Sequence, residues 1–225
     1  MILSGHQPCY LPGVQLFNKI ALSDVFMFVG HCDYQPKSWH SHNFIRTCEL
    51  IVPVHKGPSI NETTLVDGPW RRKHVKSIET AYHGFRFFNE YFPALKIIIE
   101  EPLSTLGGLN QVLIKQLLRW LQIGTKIVDS HDFQIEGAKE EMLISMCKAA
   151  GADEYLSNEG SRDYIGHSQE AKMKEAGITH RWQKFQHPVY GQESTMNGGR
   201  LSVIDLLFRH GPGAGAIIEV CGSVA

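Results

Sequence analysis

A pattern of helix, glycine and strand occurs three times in the second half of this 225-residue chain. In each copy an apolar helical face ends near a glycine, and an apolar strand pattern follows within a few residues. The glycines are Gly124, Gly151 and Gly177, and the strands after them begin near Lys126, Glu154 and Ile178. Strands that alternate with helices pair in parallel through right-handed crossovers, so the pattern predicts an α/β fold.

The first third of the chain predicts the same architecture. Residues 1–4 form a short apolar strand pattern, and residues 16–22 suit a short helix. Residues 25–29 are continuously apolar, which is typical of a parallel strand that is buried on both faces. A further strand is predicted at residues 50–54, followed by a Gly- and Pro-rich loop at 55–69.

The chain length suits one sizeable domain. We predict a single α/β domain over residues 1–210, with a mostly parallel sheet of Rossmann-like or nucleotidylyl-transferase-like type flanked by helices. Residues 211–225 begin with a glycine-rich stretch, and we expect them to form a flexible C-terminal tail.

Composition excludes several classes of function. The formal net charge is -1, so no basic excess favours nucleic acid as a partner. No stretch approaches the roughly 20 apolar residues of a membrane span, and the first residues do not resemble a signal peptide. The five cysteines are odd in number and scattered. We therefore expect a cytoplasmic protein with reduced thiols.

Two predicted strands lead directly into polar segments. The first continues into His6 and Gln7, and the second continues into His31, Cys32 and Asp33. Ligands of parallel α/β sheets bind outside the carboxyl ends of the strands, so neighbouring strands would bring His6 and Asp33 to one site. A histidine near an aspartate suits general acid–base catalysis. The alternative is that His6 only caps a turn.

A metal site and a cysteine nucleophile are weaker interpretations of the same segments. His6, Cys9, His31 and Cys32 offer four nitrogen and sulfur ligands, the number that zinc takes. The spacing C-x-x-C is absent, however, and adjacent residues of a strand point to opposite sides. We predict no metal site. Cys9 would be reactive only with a lowered pKa, which a sequence does not show.

Several motifs together resemble the WbqC-like family of bacterial proteins. The most specific is HQPxYLP at residues 6–12, and the similarity extends in order over about residues 2–211. Its other matches are Phe17-Asn18-Lys19, Asp33-Tyr34-Gln35-Pro36-Lys37 through Asn43, Val52-Pro53-Val54, Trp70-Arg71-Arg72-Lys73-His74, Asp163-Tyr164, the segment His187-Pro188-Val189-Tyr190-Gly191-Gln192, and residues 202–208. Phe44 and Asn158 stand where the family has arginine and glycine, and Cys9 and Cys32 lie outside its pattern.

The resemblance implies a role in bacterial surface polysaccharide (O-antigen) or specialised-metabolite biosynthesis. Acyl or aminoacyl transfer to an amine, such as an amino sugar nucleotide, is the favoured activity. A nucleotidylyl transferase, an ATP-dependent ligase and a non-catalytic protein that binds an intermediate remain alternatives. The expected partners are a small-molecule substrate and an acyl or aminoacyl carrier protein, and a homodimer stays open. No cofactor is identified; a carrier-bound thioester or a nucleotide is the candidate.

We expect His6, Asp33 and His187 to be catalytic, with a histidine as the general base. Asn43 and Gln192 are candidates for holding a developing oxyanion. Lys19, Lys37 and His74 are candidates for binding anionic groups, and Tyr164, Tyr190 and Trp39 for walls of the pocket. The remaining substrate-binding candidates are Gln7, Tyr10, Gln35, Ser157 and Asp163.

Overall fold

The computed structural model describes residues 1–161, 167–191 and 201–225, without the side chains of residues 167–169. Along these residues the elements are β1 (Ile2–His6), α1 (Val14–Ala21), β2 (Val25–Phe28), β3 (His42–Phe44), β4 (Glu49–Ile51), β5 (Val54–His55), β6 (Thr64–Leu65), α2 (Trp70–Tyr82), α3 (Phe88–Glu100), α4 (Leu106–Trp120), β7 (Lys126–Asp129), α5 (Glu140–Ala150), β8 (Glu154–Asn158), α6 (His167–Glu175), β9 (Thr179–Phe185), α7 (Ile204–His210), α8 (Ala214–Glu219) and β10 (Gly222–Val224). Each helix within these ranges is too short or too polar to cross a membrane.

The central sheet has six strands in the order β7-β2-β1-β8-β9-β10. The first five run parallel, and β10 pairs antiparallel with β9. From β1 the chain moves outward through β2 to β7, and then returns to the other side of β1 to form β8 and β9. The predicted α/β class with a mostly parallel sheet is confirmed. The strand order reverses between β1 and β8, which is where open α/β sheets bind ligands.

The side chains of β2 show how the sheet is covered on both faces. Phe26 and Phe28 point into the larger core, which is built mainly with α1 to α4, α7 and α8. Val25 and Met27, together with Val29 just after the strand, belong to the smaller core, against α5 and α6. Because successive strand residues alternate between faces, the continuous apolar run at 25–29 is what a strand between two helical layers requires.

Two of the three predicted glycine caps lie where the sequence places them. Gly151 and Gly177 adopt φ values of 69° and 77°, in the left-handed region. At the end of α4 the left-handed residue is instead Gln122, with φ 57°, two positions before Gly124. Leu121 and Ile123 are both buried and flank Gln122, so core packing on either side fixes where this turn occurs.

The residues between β2 and β7 contain two small hairpins outside the central sheet. We predicted one strand at 50–54, but two short strands lie there: β4 (Glu49–Ile51), which pairs antiparallel with β3, and β5, which begins at Val54. The alternating exposure of β4, with only Leu50 buried, suits a hairpin that has one solvated face. The predicted loop at 55–69 contains β6, which pairs with β5.

The structure corrects the expectation of a flexible tail at residues 211–225. This segment contains α8 and the edge strand β10, and Ala214 and Ile218 are fully buried. A Cβ atom at Gly215 would lie 2.0 Å from the carbonyl oxygen of Leu121. The glycine therefore permits close packing of α8 against the end of α4.

The loop between β1 and α1, residues 6–12, is held by donors from distant parts of the chain. We call it the first loop. The side-chain amide of Asn110 donates to Pro8 O at 3.0 Å and to His40 O at 2.8 Å. Asn43 donates to the carbonyls of Tyr10 and Leu11. The Val203 N–H donates to Pro12 O at 2.9 Å.

Replacing Asn110 with leucine is expected to destabilise the fold. Asn110→Leu removes both donors and leaves two buried carbonyl groups unsatisfied, which costs about 2–4 kcal/mol of the free energy of unfolding. Urea denaturation monitored by circular dichroism measures it. Gln116→Leu, on the same helix, is the matched control and is expected to change stability by less than about 0.5 kcal/mol. Equal stability of the two variants would contradict the role of Asn110.

Candidate functional site

Two cavities open where the strand order reverses, and His6 lines both. The inner cavity, about 240 Å³, lies between the ends of β1 and β8 and helix α5. The outer cavity, about 580 Å³, lies over the start of α1 and the first loop. Asn158 is the second residue that both cavities share. Ser4 pairs with Leu156, so two residues further along, His6 and Asn158 end their strands side by side.

His6 has its proton on Nδ1 and presents Nε2 as a base. Its Nδ1 lies 2.8 Å from Gln7 O, and because a carbonyl only accepts, Nδ1 must carry the proton. Loss of hydration lowers the pKa of His6 to about 3, and the nearby Lys19 ammonium acts in the same direction. His6 is therefore neutral at physiological pH, in the tautomer that can accept a proton at Nε2.

Lys19 reaches from α1 back to the end of β1. Its side chain is only 3% exposed, and its Nζ donates to Gly5 O at 2.9 Å. Burial lowers the pKa of Lys19 to about 8, so the amine still carries its proton at neutral pH for most of the time. It lines the inner cavity together with His6.

His187 repeats the arrangement of His6 on the outer cavity. Its Nδ1 lies 3.0 Å from Pro188 O, so the proton is again on Nδ1. Its Nε2 is buried and has no hydrogen-bond partner in the described residues. Burial lowers the pKa of His187. The outer cavity is thus lined by two neutral histidines, each with Nδ1 held by the carbonyl of the next residue.

Cys9 lines the outer cavity, and its thiol is not activated as a nucleophile. Its Sγ donates to Gln7 O at 3.3 Å and lies 3.8 Å from His6 Nδ1. Burial raises the pKa of Cys9 to about 12, so the thiolate needed for nucleophilic attack is scarce at neutral pH.

His31, which the sequence offered as a metal ligand, is hydrogen-bonded to Ser130. In the described part of the chain, no three His, Cys, Asp or Glu side chains group as metal ligands do.

Comparison with known proteins shows the family of the chain. The model of the WbqC-like protein family matches residues 7–217. The chain belongs to the WbqC-like protein family. A relative, an uncharacterized protein of Mycobacterium tuberculosis, is 31% identical over 228 residues, which cover 96% of each chain. No solved structure was found to match the chain.

Four of the predicted site residues have polar side chains that line the inner cavity of this WbqC-like protein. His6, Lys19, Gln7 and Ser157 line the inner cavity, and His6 also lines the outer one. The Gln7 Oε1 accepts a hydrogen bond of 2.9 Å from His40 Nε2, which fixes its amide. The Ser157 hydroxyl is bonded to His180 at 2.8 Å. A fifth residue, His187, lines the outer cavity.

Three other predicted ligand-binding residues hold the first loop instead. Tyr10 is fully buried, and its hydroxyl lies 2.9 Å from His74 Nδ1, while His74 Nε2 lies 3.1 Å from Ile51 O. His74 therefore donates from Nε2 and accepts from Tyr10. Asn43 borders the outer cavity, but its side-chain amide donates to the carbonyl groups of the first loop. It is not the oxyanion donor that we expected.

Asp33, Gln35 and Lys37 follow β2 but line neither cavity. All three are exposed. The charge that acts on His6 comes from Lys19 and not from Asp33. The neighbouring ends of β1 and β2 were predicted correctly, but the chain after β2 turns outward, and the predicted His6–Asp33 pair does not form.

Tyr190 lines neither cavity, although its ring lies 6.2 Å from that of His187, which lines the outer one. The Tyr190 ring packs edge-on against His210 at 6.0 Å, and its hydroxyl interacts with Asp205. Trp39, in contrast, lines the outer cavity as expected. Asp163, Tyr164 and Gln192 lie outside the described residues.

Some residues of the site were not predicted from the sequence. Met142, Leu143 and Met146 of α5 wall the inner cavity, although the spacing of Leu143 and Met146 indicated only the apolar face of a helix. Asn158 is central to both cavities. Its position at the end of a parallel strand was the available signal, because such ends border ligand sites.

Acid is expected to destabilise this WbqC-like protein through buried histidines. The pKa of His6 is lowered to about 3, and those of His40 and His74 to about 4. Below pH 6.5 the unfolded chain binds protons that the folded chain does not. Each histidine then lowers the free energy of unfolding by about 1.4 kcal/mol per pH unit, down toward its folded pKa.

Urea denaturation at pH 7, 6 and 5 measures this dependence. His40→Gln is expected to make it shallower, and His83→Asn, at an exposed position, is the matched control. The same free energy of unfolding at pH 7 and pH 5 would show that these histidines are not held neutral.

Proposed function

We propose that this protein transfers an acyl or aminoacyl group from a carrier-bound thioester to the amine of a small molecule, such as an amino sugar nucleotide. The observation that carries the proposal is the position of His6. His6 lines both cavities and its Nε2 is unprotonated, so one base can serve two substrates. We propose a setting in the cytoplasm of bacteria, in surface polysaccharide or specialised-metabolite biosynthesis.

The chemistry follows from a neutral base between two substrates. The acceptor nitrogen attacks the carbonyl carbon of the thioester and becomes acidic as the C–N bond forms. Its proton then passes to His6 Nε2, whose basicity, lowered by burial and by Lys19, is raised by the negative charge that develops beside it. A C–N bond forms and the C–S bond breaks, after which the proton on His6 is delivered to the leaving thiolate. Because His6 Nδ1–H is held by Gln7 O, the ring stays in the tautomer that this step needs.

The sizes of the cavities suggest which substrate occupies each. The outer cavity, about 580 Å³, suits the larger acceptor. It contains the N-terminal turn of α1 at Gly13 and Val14, an arrangement that favours phosphate groups. The inner cavity, about 240 Å³, suits the acyl group, and His187 offers a second base on the acceptor side.

His6→Asn tests the base directly. Asparagine keeps an N–H donor for Gln7 O but lacks a group equivalent to Nε2. We expect kcat/KM to fall by about 100-fold or more, with an unchanged thermal midpoint. The assay follows amide formation by mass spectrometry, with short-chain acyl and aminoacyl pantetheine thioesters as donors and nucleotide-linked amino sugars as acceptors. His83→Asn is the matched control, and full activity of His6→Asn would exclude His6 as the base.

A nucleotidylyl transferase or ATP-dependent ligase is the second candidate. The observation that favours it is the strand order, which places the first loop and the start of α1 where dinucleotide-binding sheets hold phosphates. Magnesium-dependent consumption of ATP or another nucleotide in the presence of an amine would support this candidate. Transfer from a preformed thioester needs neither nucleotide nor magnesium, so the two activities are separable.

A further inference from the structure

The inner cavity contains a buried cation for which the described residues offer no counter-ion. Lys19 is 3% exposed, and in the part of the chain that the structure describes its ammonium group makes one hydrogen bond, to Gly5 O. No described carboxylate forms an ion pair with it. An isolated buried ammonium is costly, so an anion that entered the cavity would be stabilised there.

The walls around Lys19 differ in polarity. On one side Met142, Leu143 and Met146 present an apolar surface from α5. On the other side Ser157 and Asn158 present polar groups from the end of β8. A cavity with a cation, a few polar groups and an apolar wall suits a ligand that has an anionic head and an apolar tail.

The volume of the cavity limits the length of that tail. About 240 Å³ is below the roughly 300–1,000 Å³ of sites that hold drug-sized ligands, so the cavity suits a small ligand. A carboxylate occupies part of this space and leaves room for a tail of only a few carbon atoms. The floor adds no space, because a Cβ atom at Gly5 would lie 2.5 Å from the terminal methyl of Met146.

We propose that the inner cavity is a binding site for a small monocarboxylate with a short apolar tail, whose carboxylate pairs with Lys19. This assignment deepens the proposed function, on which it rests, because it names the transferred group as a short acyl chain. The negative oxygen of the bound acid would occupy the position of the carbonyl oxygen of the thioester donor. That carbonyl oxygen becomes negative when the amine attacks. Lys19 thereby takes the oxyanion-binding role that Asn43 does not have.

Methyl NMR tests the site by binding alone. The protein is labelled with [methyl-13C]methionine and titrated with acetate, butyrate, hexanoate, decanoate and inorganic phosphate. We expect saturable shifts of the Met142 and Met146 methyl signals with butyrate and hexanoate, and weaker effects of decanoate and phosphate. Met1, at the opposite end of β1, is the internal control.

Two variants locate the carboxylate. Lys19→Met removes the cation with a side chain of similar length, and Met142→Glu, at a half-buried position, puts a competing carboxylate into the cavity. Each is expected to weaken butyrate binding at least tenfold. Lys96→Met, at an exposed lysine, is the matched control and should bind as the wild type does. Met142→Glu keeps the test decisive if Lys19→Met does not fold.

The outcomes separate this site from the transfer reaction. Butyrate binding that both variants lose supports the site even if no transfer is detected. The site is wrong if butyrate does not shift Met142 and Met146, or if a folded Lys19→Met binds it as the wild type does. Phosphate that binds as tightly as butyrate also overturns it. Transfer activity without acid binding would leave the proposed function standing and remove this inference.

Discussion

The need to satisfy the carbonyl groups of the first loop determines much of this structure. The loop leaves the central strand, contains two prolines that lack N–H groups, and must turn into α1 while largely buried. The donors come from β3, α4 and the residue before α7. Elements that are far apart in the chain therefore fix the position of one histidine, and with it the geometry of both cavities.

The electrostatics of the site depend on desolvation more than on ion pairs. His6 and His187 are neutral because they are withdrawn from water, and Lys19 is a cation among polar groups and methionines. In such surroundings a new charge is weakly screened, so Lys19 has a strong influence on any anion that forms beside it. The expected aspartate partner of His6 would have placed a proton acceptor on Nδ1; the carbonyl of Gln7 serves instead.

The sequence predicted the sheet, its parallel strands and the adjacent ends of β1 and β2, because periodicity and glycine caps are local signals. It also singled out His6, Lys19 and His187, which line the two cavities. It could not distinguish a polar side chain that faces a ligand from one that holds backbone. Tyr10, Asn43 and His74 carry groups that could do either, and the sequence does not show which partner each one meets. The C-terminal glycines were misinterpreted for a related reason. The small size of Gly215 allows close contact with Leu121, and that partner is 94 positions away in the sequence.

The bond between Val203 and Pro12 has a consequence for how the molecule is made. It joins the first loop to a residue near the other end of the chain, and β10 joins the sheet later still. Contacts of such large sequence separation form late in folding, because closing long stretches of chain is entropically unfavourable. During synthesis the first loop therefore leaves the ribosome long before its last partner exists. The first loop gains its full set of partners only after Val203 has been synthesised.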